Sequence, residues 1–398
     1  MEVQISDRIK NLAASQTLAM SQKSSELRAA GVDVINLSVG EPDFSTPQHI
    51  KDAAVKAIEE NFTFYPPVPG YLSLRKAICG KLKSENGLDY TPEQIVVGNG
   101  AKQALCNVIL ATVNPGDEVV IPVPAWVSYF EMVKLAEGVG VAVPTSIEAD
   151  FKITPAQLES AITPRTRMVM LCSPSNPTGS VYTRDELQAL VDVLARHPQV
   201  MVLADEIYEH IIYTGEFTSL ASFPEIAERT VVINGVSKAY AMTGWRIGYC
   251  AAPVAVAKAV TKLQGQYTSG ASSIAQKAAE AAYDGPQECV AEMCQAFRRR
   301  RDLVVEMARQ IPGLVVNEPQ GAFYLFPEVS AYIGKHFGER VITDSGALAM
   351  YLLEEGHVAT VDGAAFGTPG YIRLSYATSD DNLREAMRRI SAALAALK

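Results

Sequence analysis

Hydrophobic and polar positions alternate along this chain in two rhythms. Between about residues 90 and 250, short apolar, β-rich runs at 94–97, 118–121, 139–143, 167–171, 200–204, 230–233 and 247–251 are separated by stretches of helical spacing such as 102–112 and 183–196. Strands that read as nearly continuous apolar runs are buried on both faces, and their alternation with helices is the signature of βαβ units around a mainly parallel sheet. Beyond Pro286 the rhythm changes to a long helix, strand-like runs at 321–326 and 371–375, and an amphipathic helix at 379–397. That is the pattern of a smaller α+β domain. No repeat, low-complexity tract or long Gly/Ser linker interrupts the sequence, so the domains are expected to interleave. The expected class is α/β: an N-terminal segment 1–47 joining the small domain, a large domain 48–286 with a seven-stranded, mainly parallel sheet, and the small domain proper at 287–398.

Composition narrows the function classes. The 398 residues make between two and three units of about 150 residues, and 48% hydrophobic with 20% charged residues is an ordinary globular balance. A formal charge of −9 repels phosphate backbones and argues against nucleic acid as a partner. The run Arg298, Arg299, Arg300 and Arg301, with Asp302 and Glu306 beside it, reads as a solvated helix face with local ion pairs. Six scattered cysteines without a C-x-x-C pair read mostly as small apolar core residues in a reducing compartment, with no metal site expected. Residues 1–23 carry Glu2 and Asp7 and lack a continuous apolar core, and no uncharged run approaches the ~18 residues of a membrane span. A cytoplasmic protein with no membrane contact is expected.

In open parallel sheets the ligand crevice lies outside the carboxyl ends of the strands, and the residues there are chemically unusual. Val96-Val97-Gly98-Asn99-Gly100-Ala101-Lys102-Gln103-Ala104 runs from strand through two glycines into a helix, where free N–H groups favour an anion such as phosphate. Taken alone, it is equally a tight turn that needs glycine. Asp205-Glu206-Ile207-Tyr208 follows the apolar run Val200 to Ala204. Its aspartate is either a helix cap or the carboxylate that holds a protonated pyridine nitrogen. Lys238 is the only cation before Arg246 in an otherwise small or apolar stretch. Burial there would lower its amine pKa and make it a nucleophile or Schiff-base former, with Ser237 and Arg246 as phosphate donors.

Together these residues carry a resemblance. Ser237-Lys238-x4-Thr243-Gly244-Trp245-Arg246-x-Gly248 resembles the lysine signature of class I aminotransferases, pyridoxal 5′-phosphate enzymes of fold type I. Eight further motifs stand in family order: Gly40-Glu41-Pro42-Asp43-Phe44, Tyr65 with Gly70, Gly100-Ala101-Lys102-Gln103-Ala104, Pro124-x-Trp126, Ser173-Pro174-x-Asn176-Pro177-Thr178-Gly179, Asp205-Glu206-x-Tyr208, Gly321-Ala322-Phe323-Tyr324 and Ile372-Arg373-Leu374-Ser375. Within the family the chain is most similar to the bacterial aspartate aminotransferases of subgroup Ib.

The resemblance implies a role for each residue. Lys238 would carry the cofactor as an aldimine and then move the proton as general acid and base. Asp205 would hold the pyridine nitrogen protonated, Asn176 and Tyr208 would bond the ring's phenolate oxygen, and Trp126 would stack on its face. Gly100, the amides of Ala101 and Lys102, Ser237, Arg246 and Tyr65 would hold the phosphate. Tyr65 would come from the other subunit, which implies a homodimer with shared active sites. Arg373 stands in a strand-like run where a charge is costly unless paired. It would bind the substrate α-carboxylate bidentately, with Gly40 and Asn176 completing that end. At the distal end Lys102, with Ser15 or Thr17, would read an acidic side chain, although Ser15 and Thr17 also suit a helix cap or turn. The implied reaction is ping-pong exchange of L-aspartate and 2-oxoglutarate for oxaloacetate and L-glutamate. Prephenate, aromatic amino acids or alanine remain as alternative substrates.

Overall fold

The computed structural model describes residues 3–14 and 16–398, so Ser15 lies outside the described residues. The first strand, β1 (Ile35–Asn36), pairs in parallel with Val358–Ala359, joining the N-terminal segment to the far end of the chain. The large sheet then follows: β2 (Ile95–Asn99), β3 (Glu118–Val123), β4 (Val139–Pro144), β5 (Thr166–Cys172), β6 (Met201–Asp205), β7 (Thr230–Gly235) and β8 (Ile247–Ala251). Its order is β2-β8-β7-β6-β5-β3-β4, with β8 antiparallel to both neighbours and the other pairs parallel. The seven apolar runs read from the sequence are these seven strands.

The sheet is buried on both faces, which is why its strands lack polar alternation. Met168, Met170, Leu203, Val231 and Ile233 face one way, onto Leu105, Val108 and Val260 of the helices Ala101–Thr112 and Val254–Tyr267. Val169, Leu171, Val202 and Ala204 face the other way, onto Leu187, Leu190 and Leu194 of the helix Arg184–Leu194. Val97, Val232 and Tyr249 extend that second face beneath Leu74, Ile78 and Leu82 of the helix Leu72–Asn86. Each such side chain contributes about 1.5–3 kcal/mol on full burial. Helix Arg184–Leu194 starts where it does because Thr183 caps it: its Oγ1 accepts from Glu186 N, and Glu186 returns the bond to Thr183 N.

The C-terminal part packs around the helix Glu288–Arg309, a three-stranded antiparallel sheet of Val361–Asp362, Ile372–Ser375 and Tyr324–Leu325, and the helix Asp380–Ala395. Val34, Ile35 and Leu37 share a core with Phe297, Tyr324, Leu352 and Ile390 from this part.

One expectation fails in part: Arg298 and Arg299 are exposed as expected, the next two arginines are not. Arg300 and Arg301 are buried, at 6% and 4% exposure, not solvated. Arg300 makes a bidentate pair with Asp43 (2.7 and 2.9 Å) and reaches Asp380 at 3.4 Å, while Arg301 bonds Asp302 (2.7 Å) and the Pro319 carbonyl. Apart from Asp302, the partners that permit this burial, Asp43, Asp380 and the Pro319 carbonyl, lie outside the helix, where local spacing does not reveal them. The cysteines stand as expected: Cys250 is buried in the core, the other five are half-buried and packed against it, and all six are free thiols. Among the described residues no helix is long and apolar enough to cross a membrane.

Candidate active site

The carboxyl ends of the strands open onto a cavity of about 380 Å³. Thr17, Gly40, Ala101, Lys102, Trp126, Asn176, Asp205, Tyr208, Ser237, Lys238, Arg246 and Arg373 all line it. Segments more than three hundred residues apart in sequence therefore converge on one volume. Gly100 lies just behind the lining at φ +83°, where a Cβ would strike the Arg246 guanidinium, so glycine is needed both for the backbone and for the close approach. Tyr65 is not brought in: its side chain is 96% exposed, outside the cavity of its own chain.

Lys238 stands just past β7. Its Nζ donates to the Gly40 carbonyl at 2.7 Å and lies 5.9 Å from the centre of the Tyr208 ring. Burial lowers its pKa to about 8; Arg246 and Arg373 act in the same direction, against Glu41 and Asp205. An amine so shifted is available as a nucleophile and proton carrier near neutral pH. Asp205 ends β6, with Oδ2 accepting from the Tyr129 hydroxyl at 2.6 Å and Oδ1 from Ile207 N at 3.3 Å. Burial pushes its carboxyl up to about 6, opposed by those two bonds and by Lys238. A carboxylate this deep without a cation in contact is poised to receive one. The Tyr208 hydroxyl shares a 2.8 Å bond with the Tyr324 hydroxyl.

At the start of helix Ala101–Thr112 the backbone bonds begin with Gln103 N donating to Gly100 O at 3.1 Å, which leaves the amides of Ala101 and Lys102 aimed outward. Arg246 closes over this turn, with Nη1 on the Thr243 carbonyl (2.9 Å) and Nη2 on the Asn99 carbonyl (3.2 Å). Lys102 Nζ sits 4.8 Å from the Trp126 ring centre, its pKa lowered by burial and then by Arg246.

Arg373 is the most unusual group. It is 2% exposed, and its Nη1 donates to Asn176 Oδ1 (3.0 Å), its Nη2 to the Ser38 carbonyl (2.6 Å). Its planar face lies against Tyr324 and Phe366, while Nε has no hydrogen-bond partner. No carboxylate pairs with it among the described residues, which sets aside a structural salt bridge. A buried N–H left unmade costs about 1–3 kcal/mol, and a buried guanidinium without an anion costs more.

These features fit pyridoxal phosphate: an anion-seeking turn, a deep carboxylate lacking a cation, and a shifted amine between them. Two contributors were not singled out in the sequence. Tyr129 lies in the first turn of the helix Ser128–Leu135, three residues after Trp126, and no quoted motif includes it. Tyr324 lies inside a quoted motif, but its bond to Tyr208 depends on a strand pairing far along the chain.

Comparison with known proteins identifies the family. The Aminotransferase class I and II family matches residues 32–390. An aspartate/prephenate aminotransferase from Cereibacter sphaeroides is 53% identical over 99% of both chains. An aspartate aminotransferase from Geobacillus stearothermophilus is 49% identical over 98% of both. Among solved structures, the aspartate aminotransferase of Rhizobium meliloti superposes with a TM-score of 0.96 at 44% identity over all of both chains. That of Thermus thermophilus with maleate gives 0.92 at 42% identity, over 98% of this chain and 100% of the other.

Proposed function

The chain belongs to the class I and II aminotransferases, enzymes that depend on pyridoxal 5′-phosphate, and we propose that it exchanges the amino groups of L-aspartate and L-glutamate with their 2-oxo acids by a ping-pong cycle. The observation that carries the substrate class is Arg373, buried and without a carboxylate partner among the described residues. A substrate α-carboxylate supplies the missing anion and takes up the unpartnered Nε. Lys102, the lining cation beside Trp126, reads the second carboxylate together with Thr17, while Gly40 and Asn176 close the α-carboxylate end. Ser15 remains a candidate beside Thr17 on the sequence reading alone.

When bound, pyridoxal phosphate supplies the carbonyl that accepts the amino group and the ring that draws electrons from Cα. The chain orients it. Asp205 holds a proton on the pyridine nitrogen, which in turn favours the ionised carboxylate. Asn176 and Tyr208 bond the phenolate oxygen, Trp126 covers the ring, and Gly100, Ala101, Lys102, Ser237 and Arg246 hold the phosphate. Lys238 Nζ would be the group that holds the cofactor covalently and the base that would carry a proton to and from the substrate Cα. The exposed Tyr65 reaches the phosphate of a second copy's site, so the working form is a homodimer with shared sites. We place it in the cytoplasm, with 48–286 as the cofactor-binding domain and 1–47 joined to the small domain of 287–398. The pairing of β1 with Val358–Ala359 supports that grouping.

Prephenate is the second reading, favoured by the double name of the relatives from Cereibacter sphaeroides and Nitrosomonas europaea. The deciding experiment is the absorbance of holoenzyme before and after L-aspartate, then after 2-oxoglutarate. A visible band lost to aspartate and restored by 2-oxoglutarate is the expected result. A band that ignores aspartate but answers glutamate and prephenate, an aromatic amino acid or alanine overturns the aspartate assignment. The absence of any band with added pyridoxal phosphate overturns the role of Lys238.

A further inference from the structure

We infer that Glu209 is a positioning residue which fixes the loop bearing Asp205 and Tyr208 against the loop bearing Lys238. The inference rests on the reading of those three as catalytic groups. Glu209 touches none of the cavity. It follows Tyr208 directly, yet its side chain turns to the other face of the sheet and is 4% exposed there. Its Oε1 accepts from Asn234 Nδ2 at 2.6 Å and from Lys81 Nζ, and its Oε2 accepts from Asn86 Nδ2 at 2.8 Å.

Each partner belongs to a different part of the fold. Lys81 and Asn86 lie on helix Leu72–Asn86, and Lys81 also donates to Asn86 Oδ1 at 2.8 Å. Asn234 lies near the end of β7, four residues before Lys238, and its own Oδ1 is held by Gly235 N at 2.7 Å. One carboxylate thus ties the chain beyond β6 to the end of β7, and both to a packed helix. The relation it sets is the one the chemistry needs, namely the 5.9 Å between Lys238 Nζ and the Tyr208 ring. Reacting groups displaced by about 1 Å can lose a hundredfold in rate.

The cluster could be taken for a metal site, because Glu85, Glu209 and His210 offer ligand atoms within 4.8 Å of one another. Lys81 Nζ already bonds Glu209 and stands 3.4 Å from Glu85, so the cation there is the chain's own. With that ammonium and two amides around it, Glu209 has every partner it needs and no reason for burial other than the tie.

Asn234→Ala in the holoenzyme cuts the tie to β7 while leaving the Lys81–Glu209 pair intact. The expected result is a fall in kcat for L-aspartate of about 10- to 100-fold, with KM changed less than about threefold because Arg373 is untouched. The pH midpoint of the visible cofactor band should move as well. Unchanged kcat and midpoint, with only a lower Tm, would make Glu209 a structural residue and overturn the inference. A second set covers a variant that fails to fold. Lys81→Met leaves the carboxylate unpaired, and the double variant Lys81→Met with Glu209→Gln restores a neutral group that still accepts from Asn234. The double variant should recover at least about fivefold of the rate lost in Lys81→Met, and no recovery overturns the inference. Should Lys238→Ala leave the visible band and turnover intact, the reading of the site fails instead, which is a separate outcome.

Discussion

Around the cavity, Asp205 and Arg373 are buried and Lys238 is half-buried, each without an opposite charge in hydrogen-bond contact among the described residues. Across the sheet, Lys81, Glu85 and Glu209 are joined to one another. Burial acts on both groups, with opposite outcomes. On the cavity side the opposing contacts do not outweigh desolvation, so each group moves toward its neutral form: Asp205 up, Lys238 and Arg373 down. Across the sheet, burial raises Glu209, but Lys81, His210 and the hydrogen bonds reverse it and hold the carboxyl below its usual range. A charge whose partner is supplied by the chain is a tie; one whose partner must come from a ligand is a binding site. Glu206, which follows Asp205 onto the opposite face, is bonded by Ser219 Oγ and Leu220 N rather than by a cation, and burial raises it as it raises Asp205.

The comparison breaks most completely at Lys238. Lys238→Ala should lower turnover by more than about 10⁴-fold, since both covalent attachment and proton transfer are lost, while circular dichroism stays native. Single-turnover spectra with L-aspartate measure this. On the paired side, Glu209→Leu should cost about 3–5 kcal/mol of stability by removing the buried partner of the Lys81 ammonium, as read in urea unfolding. Arg373→Leu sharpens the contrast. It should raise the KM for aspartate by the equivalent of about 2–5 kcal/mol while leaving the apoprotein no less stable than wild type. A large loss of apo stability would mean that Arg373 has a structural partner after all.

Two pH effects are smaller. Lys238 titrates near 8 in the fold against 10.5 ordinarily, so between those values the unfolded chain binds the extra proton, and this group adds stability as pH rises through that window. Capture of pyridoxal phosphate by apoprotein should accordingly speed up about tenfold per pH unit below 8 and level off above it. Glu206 runs the other way. Burial, then Glu209, lifts its carboxyl from 4.5 to about 8, so the native state binds more protons between those values and loses stability as pH rises. Glu206→Gln should remove that slope, roughly 1 kcal/mol per pH unit within the window, measured by unfolding at pH 5.5 and 8.

Much of this was legible in the sequence. The strands were legible because burial on both faces forces uninterrupted apolar runs, and the groups at their carboxyl ends stood out because polar residues there interrupt an apolar background. Lys238 and Asp205 are visible for that reason. Arg300 was misread because its partner Asp43 lies 257 residues away, and no local spacing encodes such a pairing. Tyr324 and Glu209 went unassigned for the same reason.

The sequence by itself determined the order of strands and helices, the turn at Gly100, and the residue types gathered at the strand ends, because periodicity and backbone preference are local properties. Only the tertiary structure decided which charges are satisfied. Desolvation and pairing depend on what packs around a group from every side, so it took the folded chain to leave Arg373 without an anion and to give Glu209 three donors.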